Sequence, residues 1–341
     1  MPASIPGVAG PTFFGTAVLS PCDAWAVGYT DHAGVKTLIE RWDGAAWEQY
    51  PSPSPGTGNA TLEGVGAVSA TDAWAVGSYF DGTNEKTLIL HWDGSQWSQV
   101  PSPSPGSPEN FLQEVRPVSA NDVWAVGDYS RGGPNKTLIL HWNGTKWTRV
   151  PSPSPGGGDD LTGVTATSAS NAWAVGTSFA TSGDQTLILH WNGSTWTRVA
   201  SPDPDTANRL NSVAATSATN AWAVGVAVNN GSGDQTLVLR WNGKKWAHVA
   251  SPDPGGTAVE SGLNGVAVNS AGSAFAVGST ANGTQTLILH WNGTAWTQVP
   301  SPSLGTNDSL YGVGTTSPGN VWAVGGYVLG GTSLAFAVHC C

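Results

Sequence analysis

Seven side chains with the means to bind a metal or move a proton recur through this chain at intervals of about 50 residues. They are Arg41, His91, His141, His190, Arg240, His290 and His339, each directly before a tryptophan or, in the last copy, before Cys340. A ring of imidazoles would suit a metal centre or a proton relay. The column contains two arginines, however, which cannot ligate a metal. No second His or Cys stands at ligand spacing within any repeat. About twenty residues upstream of all but His290 lies an Asp or Asn at a turn: Asp23, Asp72, Asp122, Asn171, Asn220 and Asn320. Histidine and arginine both donate to Asp or Asn, which explains why they exchange. The column is therefore expected to hold turns in place, without metal or other cofactor.

The remaining candidates for chemistry are sparse. Asp159, Asp160, Asp203 and Asp205 are loop carboxylates without the spacing of a calcium loop, and are expected to be solvated. No Gly-x-Ser-x-Gly, phosphate-binding loop or His-Glu-x-x-His motif occurs. The sequence leans away from catalysis, with a site assembled from separate loops as the one route left open.

The elements that carry these residues are copies of one unit. In the fourth copy, Leu161 to Pro204, four short β-rich runs succeed one another: LTGVTATS, NAWAVG, TLILHW and TWTRVASP. Runs three and four meet at Asn-Gly or Asp-Gly, residues that accept the positive φ of tight turns. All 18 tryptophans fall into three columns of the repeat. The first column is Trp25, Trp74, Trp124, Trp173, Trp222, Phe275 and Trp322. The second is Trp42, Trp92, Trp142, Trp191, Trp241, Trp291 and then Cys340. The third is Trp47, Trp97, Trp147, Trp196, Trp246 and Trp296. Seven copies of four antiparallel strands specify an all-β, seven-bladed β-propeller filling residues 1–341 as one domain. The blades are expected near 12–55, 61–105, 111–155, 161–204, 210–254, 263–304 and 310–341. Run one, with its small residues, should line the axis. The Pro-Ser-Pro segments at 51–56, 101–106 and 151–156 are expected to end the fourth strand and stiffen the link to the next blade. The seventh copy stops at Cys340-Cys341 without a fourth run. Its blade should lack that strand or borrow it weakly from residues 2–6. A disulfide from Cys22 to Cys340 or Cys341 is expected to reinforce the closure.

The pattern L-x-G-V…WAVG…TLILHWNG-x-x-W resembles kelch-like repeats in period and strand order, without their double glycine except at Gly325-Gly326. The HWNG-x-x-W and HWDG-x-x-W segments look like the turns of bacterial bladed lectins and tectonin-type propellers. The resemblance implies the fold and leaves function open, because propellers host lectins, scaffolds and enzymes.

Net charge is −10 with only 11% charged residues, and no basic patch exists to hold nucleic acid. No apolar run is long enough to span a membrane. A secreted or cell-surface protein is expected, although the first residues do not form a signal peptide. The loops between runs two and three vary most and carry Tyr29, Tyr79, Phe80, Tyr129, Arg131 and Phe179. Aromatic faces beside polar groups suit sugar rings. The position after the run-one leucine also varies, with Glu63, Gln113, Thr162, Asn211, Asn264 and Tyr311 at the mouth of the axis. These residues point to a binding module, carbohydrate-directed in the first instance. A protein-interaction scaffold is the alternative, and the partner is a glycan or a surface protein.

Overall fold

Each repeat is a run of β-branched and aromatic residues cut by Gly, Asn and Pro, and each folds as a four-stranded antiparallel sheet. The computed structural model describes residues 2–4, 10–31, 34–228 and 233–340, with the backbone alone for 2–4, 257 and 340. In the fourth blade the strands are Gly158–Ser168, Asn171–Phe179, Gln185–Trp191 and Trp196–Arg198, in that order from the axis outward. Every inner strand shifts register once after its leucine or phenylalanine, as at Leu161/Gly163. This bulge leaves one extra residue unpaired against the neighbouring strand. The third and fourth strands join where a glycine takes positive φ, +89° at Gly144, while Asn143 Oδ1 accepts from the amides of Thr145 and Lys146.

The core lies between blades rather than within them. Trp124 of blade 3 is buried and meets Trp191 and Trp196 of blade 4 at 5.0 and 5.2 Å, the latter edge-on. The same triad closes the seam from blade 7 to blade 1, where Trp322 meets Trp42 at 5.0 Å and Trp47 at 5.3 Å. Near the axis the inner strands approach closely. A Cβ on Gly265 would stand 2.6 Å from the Tyr311 carbonyl, so this position tolerates no side chain without a shift.

The Pro-Ser-Pro segments are structural clips. Thr137 Oγ1 lies 2.7 Å from Ser152 Oγ and donates to the Pro153 carbonyl, while its amide donates to Ser154 Oγ. In blade 4 the Thr186 amide donates instead to Asp203 Oδ1 at 2.7 Å, which explains why Ser and Asp exchange there. Asp159, by contrast with the exposed Asp203, is not solvated: it is 1% exposed and accepts from the Gly156 amide, and Asp160 accepts from the Thr177 amide. The first satisfies a loop N–H group and the second an N–H of the adjacent strand.

Blade 7 contributes three strands of its own, and its outer strand is Pro2–Ser4, paired antiparallel to Val338, Ala337 and Phe336. This strand falls within the expected 2–6, of which residues 5 and 6 lie outside the described residues. The cysteine clasp is not made: Cys22 is a free, exposed thiol. The backbone of Cys340 pairs with Val321 of its own blade. Cys341 and the side chain of Cys340 lie outside the described residues.

The closing seam carries one further departure. At the six other interfaces Ile39, Ile89, Ile139, Ile188, Val238 or Ile288 of one blade packs in a cluster with Leu90, Leu140, Leu189, Leu239, Leu289 or Val338 of the next. At the seam these positions are Ala337 and Glu40. Glu40 is 2% exposed, its Oε2 has no hydrogen-bond partner, and burial pushes its carboxyl up to about 7. A carboxyl whose folded pKa is raised binds its proton more tightly in the folded state. The associated stability is present below the unfolded value of 4.5 and is lost as pH rises through about 7. Glu40→Leu should therefore stabilise the protein more at pH 8 than at pH 4.5. The difference should be on the order of 3 kcal/mol, since one pKa unit corresponds to about 1.4 kcal/mol. Urea unfolding at the two pH values measures it; an equal gain at both would show that the carboxyl is not titrating in the fold.

Candidate binding site at the channel mouth

The histidine column behaves as a set of struts. His141 Nε2 lies 2.8 Å from Asp122 Oδ1 and His190 Nε2 lies 2.8 Å from Asn171 Oδ1. Each imidazole also lies over the first-column tryptophan of its own blade, at 4.2 Å for both pairs. Arg41 takes the same role, donating twice to Asp23 and lying 4.7 Å over Trp25. Blade 6 has no Asp or Asn at the turn, and Ser273 Oγ meets His290 instead at 3.2 Å. Burial holds His190 and His290 below the usual imidazole range. Among the described residues no three His, Cys, Asp or Glu side chains converge as a metal site would need.

The loop aromatics expected to face a ligand are mostly used in packing. Tyr129 is 4% exposed within the cluster between blades 2 and 3. Arg149 lies 4.7 Å over its ring and donates to its hydroxyl at 2.8 Å. Arg131 approaches the same ring at 5.8 Å and donates to the Pro105 carbonyl. Tyr79 is half-buried against the cluster of blades 1 and 2. Phe80 lies so close to Gly58 that a Cβ there would come within 2.8 Å of its ring, and Phe179 is half-buried beside Gly158. Between these shoulders, burial and then Asp160 and Glu109 push the Asp128 carboxyl up to about 7, and Asn135 donates to it at 2.9 Å. Asp128 escaped the sequence expectations because no repeat pattern marks it.

Tyr29 goes elsewhere, packing on Phe14 at the rim of the central channel that Glu63 and Gln113 line. The channel is a cavity of about 430 Å³ lined by the seven inner strands. Near its mouth, the bulge residues Phe14, Glu63, Gln113, Thr162, Asn211, Asn264 and Tyr311 form one ring. That ring is divided. Thr162 Oγ1 donates to the Leu210 carbonyl at 2.7 Å, Asn211 Nδ2 to the Leu263 carbonyl at 2.8 Å, and Asn264 Nδ2 to the Leu310 carbonyl at 2.9 Å. Each ties its blade to the next. Phe14 and a Glu63 carboxylate have no donor for such a bond. Among the described residues, Gln113 and Tyr311 make no side-chain hydrogen bond. Phe14 instead gathers an aromatic cluster, with Tyr311 at 5.2 Å and Tyr29 at 5.8 Å.

The charges in the channel lie on one wall. Glu63, Glu114 and Arg116, from blades 2 and 3, are its three charged lining residues. Burial raises the Glu63 carboxyl above the usual range, the Thr61 hydroxyl pulling the other way. Burial also raises Glu114 to about 7, although the Val115 amide donates to it and Arg116 opposes the shift. Arg116 is walled by the channel yet open to its interior, and among the described residues it makes no hydrogen bond or ion pair. In five of the other six blades the Glu114 position is glycine, at Gly15, Gly64, Gly163, Gly265 and Gly312.

No family model matches this chain, and no curated protein matches it. Solved structures share its fold. A structure described as YCF48 bound to D1 peptide aligns with a TM-score of 0.60 at 16% identity, covering 98% of this chain and 94% of the other. YCF48 from Cyanidioschyzon merolae aligns at 0.59 and 17%, over 98% and 97%. A polysaccharide lyase, an ulvan lyase of family PL25 bound to -[GlcA(1-4)Rha3S]-, aligns at 0.57 and 8%, over 98% and 92%. At these identities the likeness concerns the propeller alone.

The division of the ring has a consequence for stability. Asn211→Ala and Asn264→Ala should each cost about 1 kcal/mol, the usual net worth of a hydrogen bond. Gln113→Ala should change stability by less than about half of that. Urea denaturation of the three variants checks the contrast; equal costs would mean that the ring is not divided.

Proposed function

We propose that this protein is a binding scaffold, without chemistry of its own, that recognises an extended segment of a partner protein at the mouth of its central channel. The observation that carries this reading is the division of the bulge ring. Three of its seven members hold neighbouring blades together, while the four on contiguous blades 7, 1, 2 and 3 are spared that task and face a wet cavity. At about 430 Å³ the cavity has room for on the order of ten water molecules, which an entering side chain can displace.

The same propeller fold carrying a peptide in YCF48 supports a protein partner. A glycan is the second reading, favoured by the aromatic cluster of Phe14, Tyr29 and Tyr311 and by the saccharide-bound lyase of the same fold. The shoulder residues Tyr79, Phe80, Phe179 and Arg131 supply a rim at most, since Tyr129 between them is filled by Arg149. A low density of surface charge fits a secreted or surface-displayed scaffold.

The test is a screen of the full chain on peptide and glycan arrays, run beside a Gln113→Ala/Tyr311→Ala double variant. Peptide signals should appear and fall by about tenfold or more in the variant. Signals confined to glycans would favour the second reading. Signals of either kind that ignore the variant would place recognition outside the channel mouth.

A further inference from the structure

The free sector of the channel mouth sets a carboxylate beside aromatic faces. In blades 5, 6 and 7 the leucine carbonyl beside the bulge receives a hydrogen bond from Thr162, Asn211 or Asn264 of the preceding blade. The equivalent residues Phe13, Leu62, Leu112 and Leu161 are fully buried, so the groups that face a ligand in this sector are side chains. The carboxylate of Glu63 supplies two acceptor oxygens, and the Phe14–Tyr311 pair adds π faces. Blades 1 and 2 are contiguous here, for a Cβ on Gly15 would lie 2.9 Å from the Glu63 carbonyl. A group that satisfies acceptors and aromatic faces together, and offers no lone pair of its own, is an ammonium or a guanidinium.

Resting on the reading above, we infer that the occupant of this sector is the basic side chain, arginine or lysine, of the partner's extended segment, with Glu63 as its counter-charge. The depth of insertion is set from below. Glu114 and Arg116 follow Gln113 down the same inner strand, and the three residues from Gln113 to Arg116 advance at most about 10 Å. The cation of Arg116 therefore lies deeper than the acceptors and repels a basic group that travels further. The overall charge of −10 favours approach of a basic segment from solution.

Isothermal titration calorimetry on the full chain tests this with short capped peptides of glycine and serine that differ at one central position: arginine, lysine, norleucine or glutamate. The arginine and lysine peptides should bind, with norleucine and glutamate at least about tenfold weaker. Glu63→Gln, which keeps shape and removes charge, should abolish the preference, while Asn264→Ala should leave it intact. Equal binding of norleucine, absence of binding by every peptide, or a preference that survives Glu63→Gln overturns the inference. So does a preference for glutamate lost in Arg116→Ala. Binding that falls in Tyr311→Ala but ignores the central residue would reject the basic side chain and keep the mouth as the site. Binding indifferent to both would reject the mouth as well.

Discussion

The structure depends on one contact, repeated around the ring: a buried tryptophan of each blade packed edge-on against the third-column tryptophan of the next. Trp25 on Trp97, Trp74 on Trp147, Trp124 on Trp196, Trp173 on Trp246, Trp222 on Trp296 and Trp322 on Trp47 all lie at 5.1–5.4 Å between centroids. Each ring removes roughly 150–250 Å² from water. At about 25 cal/mol per Å² that is some 4–6 kcal/mol of gross stabilisation per ring before entropy is counted. Blades of this size have no interior of their own, so this contact is what makes a blade cohere with its neighbour. The interface between blades 6 and 7 is the exception, and it departs as a whole. Phe275 replaces the first tryptophan, Cys340 the second, and the third is absent where the outer strand is borrowed. Smaller residues fill the gap, with Phe336, Val338 and Ile288 in the local cluster.

Holding the ring from its periphery has a consequence at its axis. With the blades fixed by tryptophans, the inner strands come together at a separation that glycine must accommodate, as at Gly265 and Gly312. The bulge then becomes the inner-strand position at which side chains vary in every blade. Rigid, symmetric packing outside thus produces a mouth whose chemistry can change from blade to blade without disturbing the fold.

The sequence made the periphery legible and the mouth only partly so, for a physical reason. Tryptophan columns, Asn-Gly turns and Pro-Ser-Pro clips are local or repeat-internal, and the Thr137–Ser152 bond links elements of one repeat. The fate of Tyr129 depends on Arg149, an ordinary-looking outer-strand residue whose guanidinium folds back over the ring. Glu63 and Gln113 were visible as members of a variable polar column. Their distinction from Asn211 and Asn264 was not, because it rests on carbonyls of the following blade about 50 residues away. A signal was present all the same: donors stand at Thr162, Asn211 and Asn264, and non-donors at Phe14 and Glu63.

Departures from the repeat therefore sort by whether a neighbour compensates for them. Phe275 is answered by the loss of two tryptophans opposite it, and the Asp for Ser at position 203 accepts the same Thr186 amide that serine accepts elsewhere. Such pairs preserve packing and carry no further meaning. Glu114 and Arg116 are not compensated in this way. They replace glycine and small residues, project charge into a channel that every other blade leaves neutral below its mouth, and form no ion pair within 4 Å of one another. Glu114 is half-buried and Arg116 stays open to the channel, so this wall carries its charges without a packing gain. Together with Glu63 they make this wall the place where the channel departs from neutrality among the described residues.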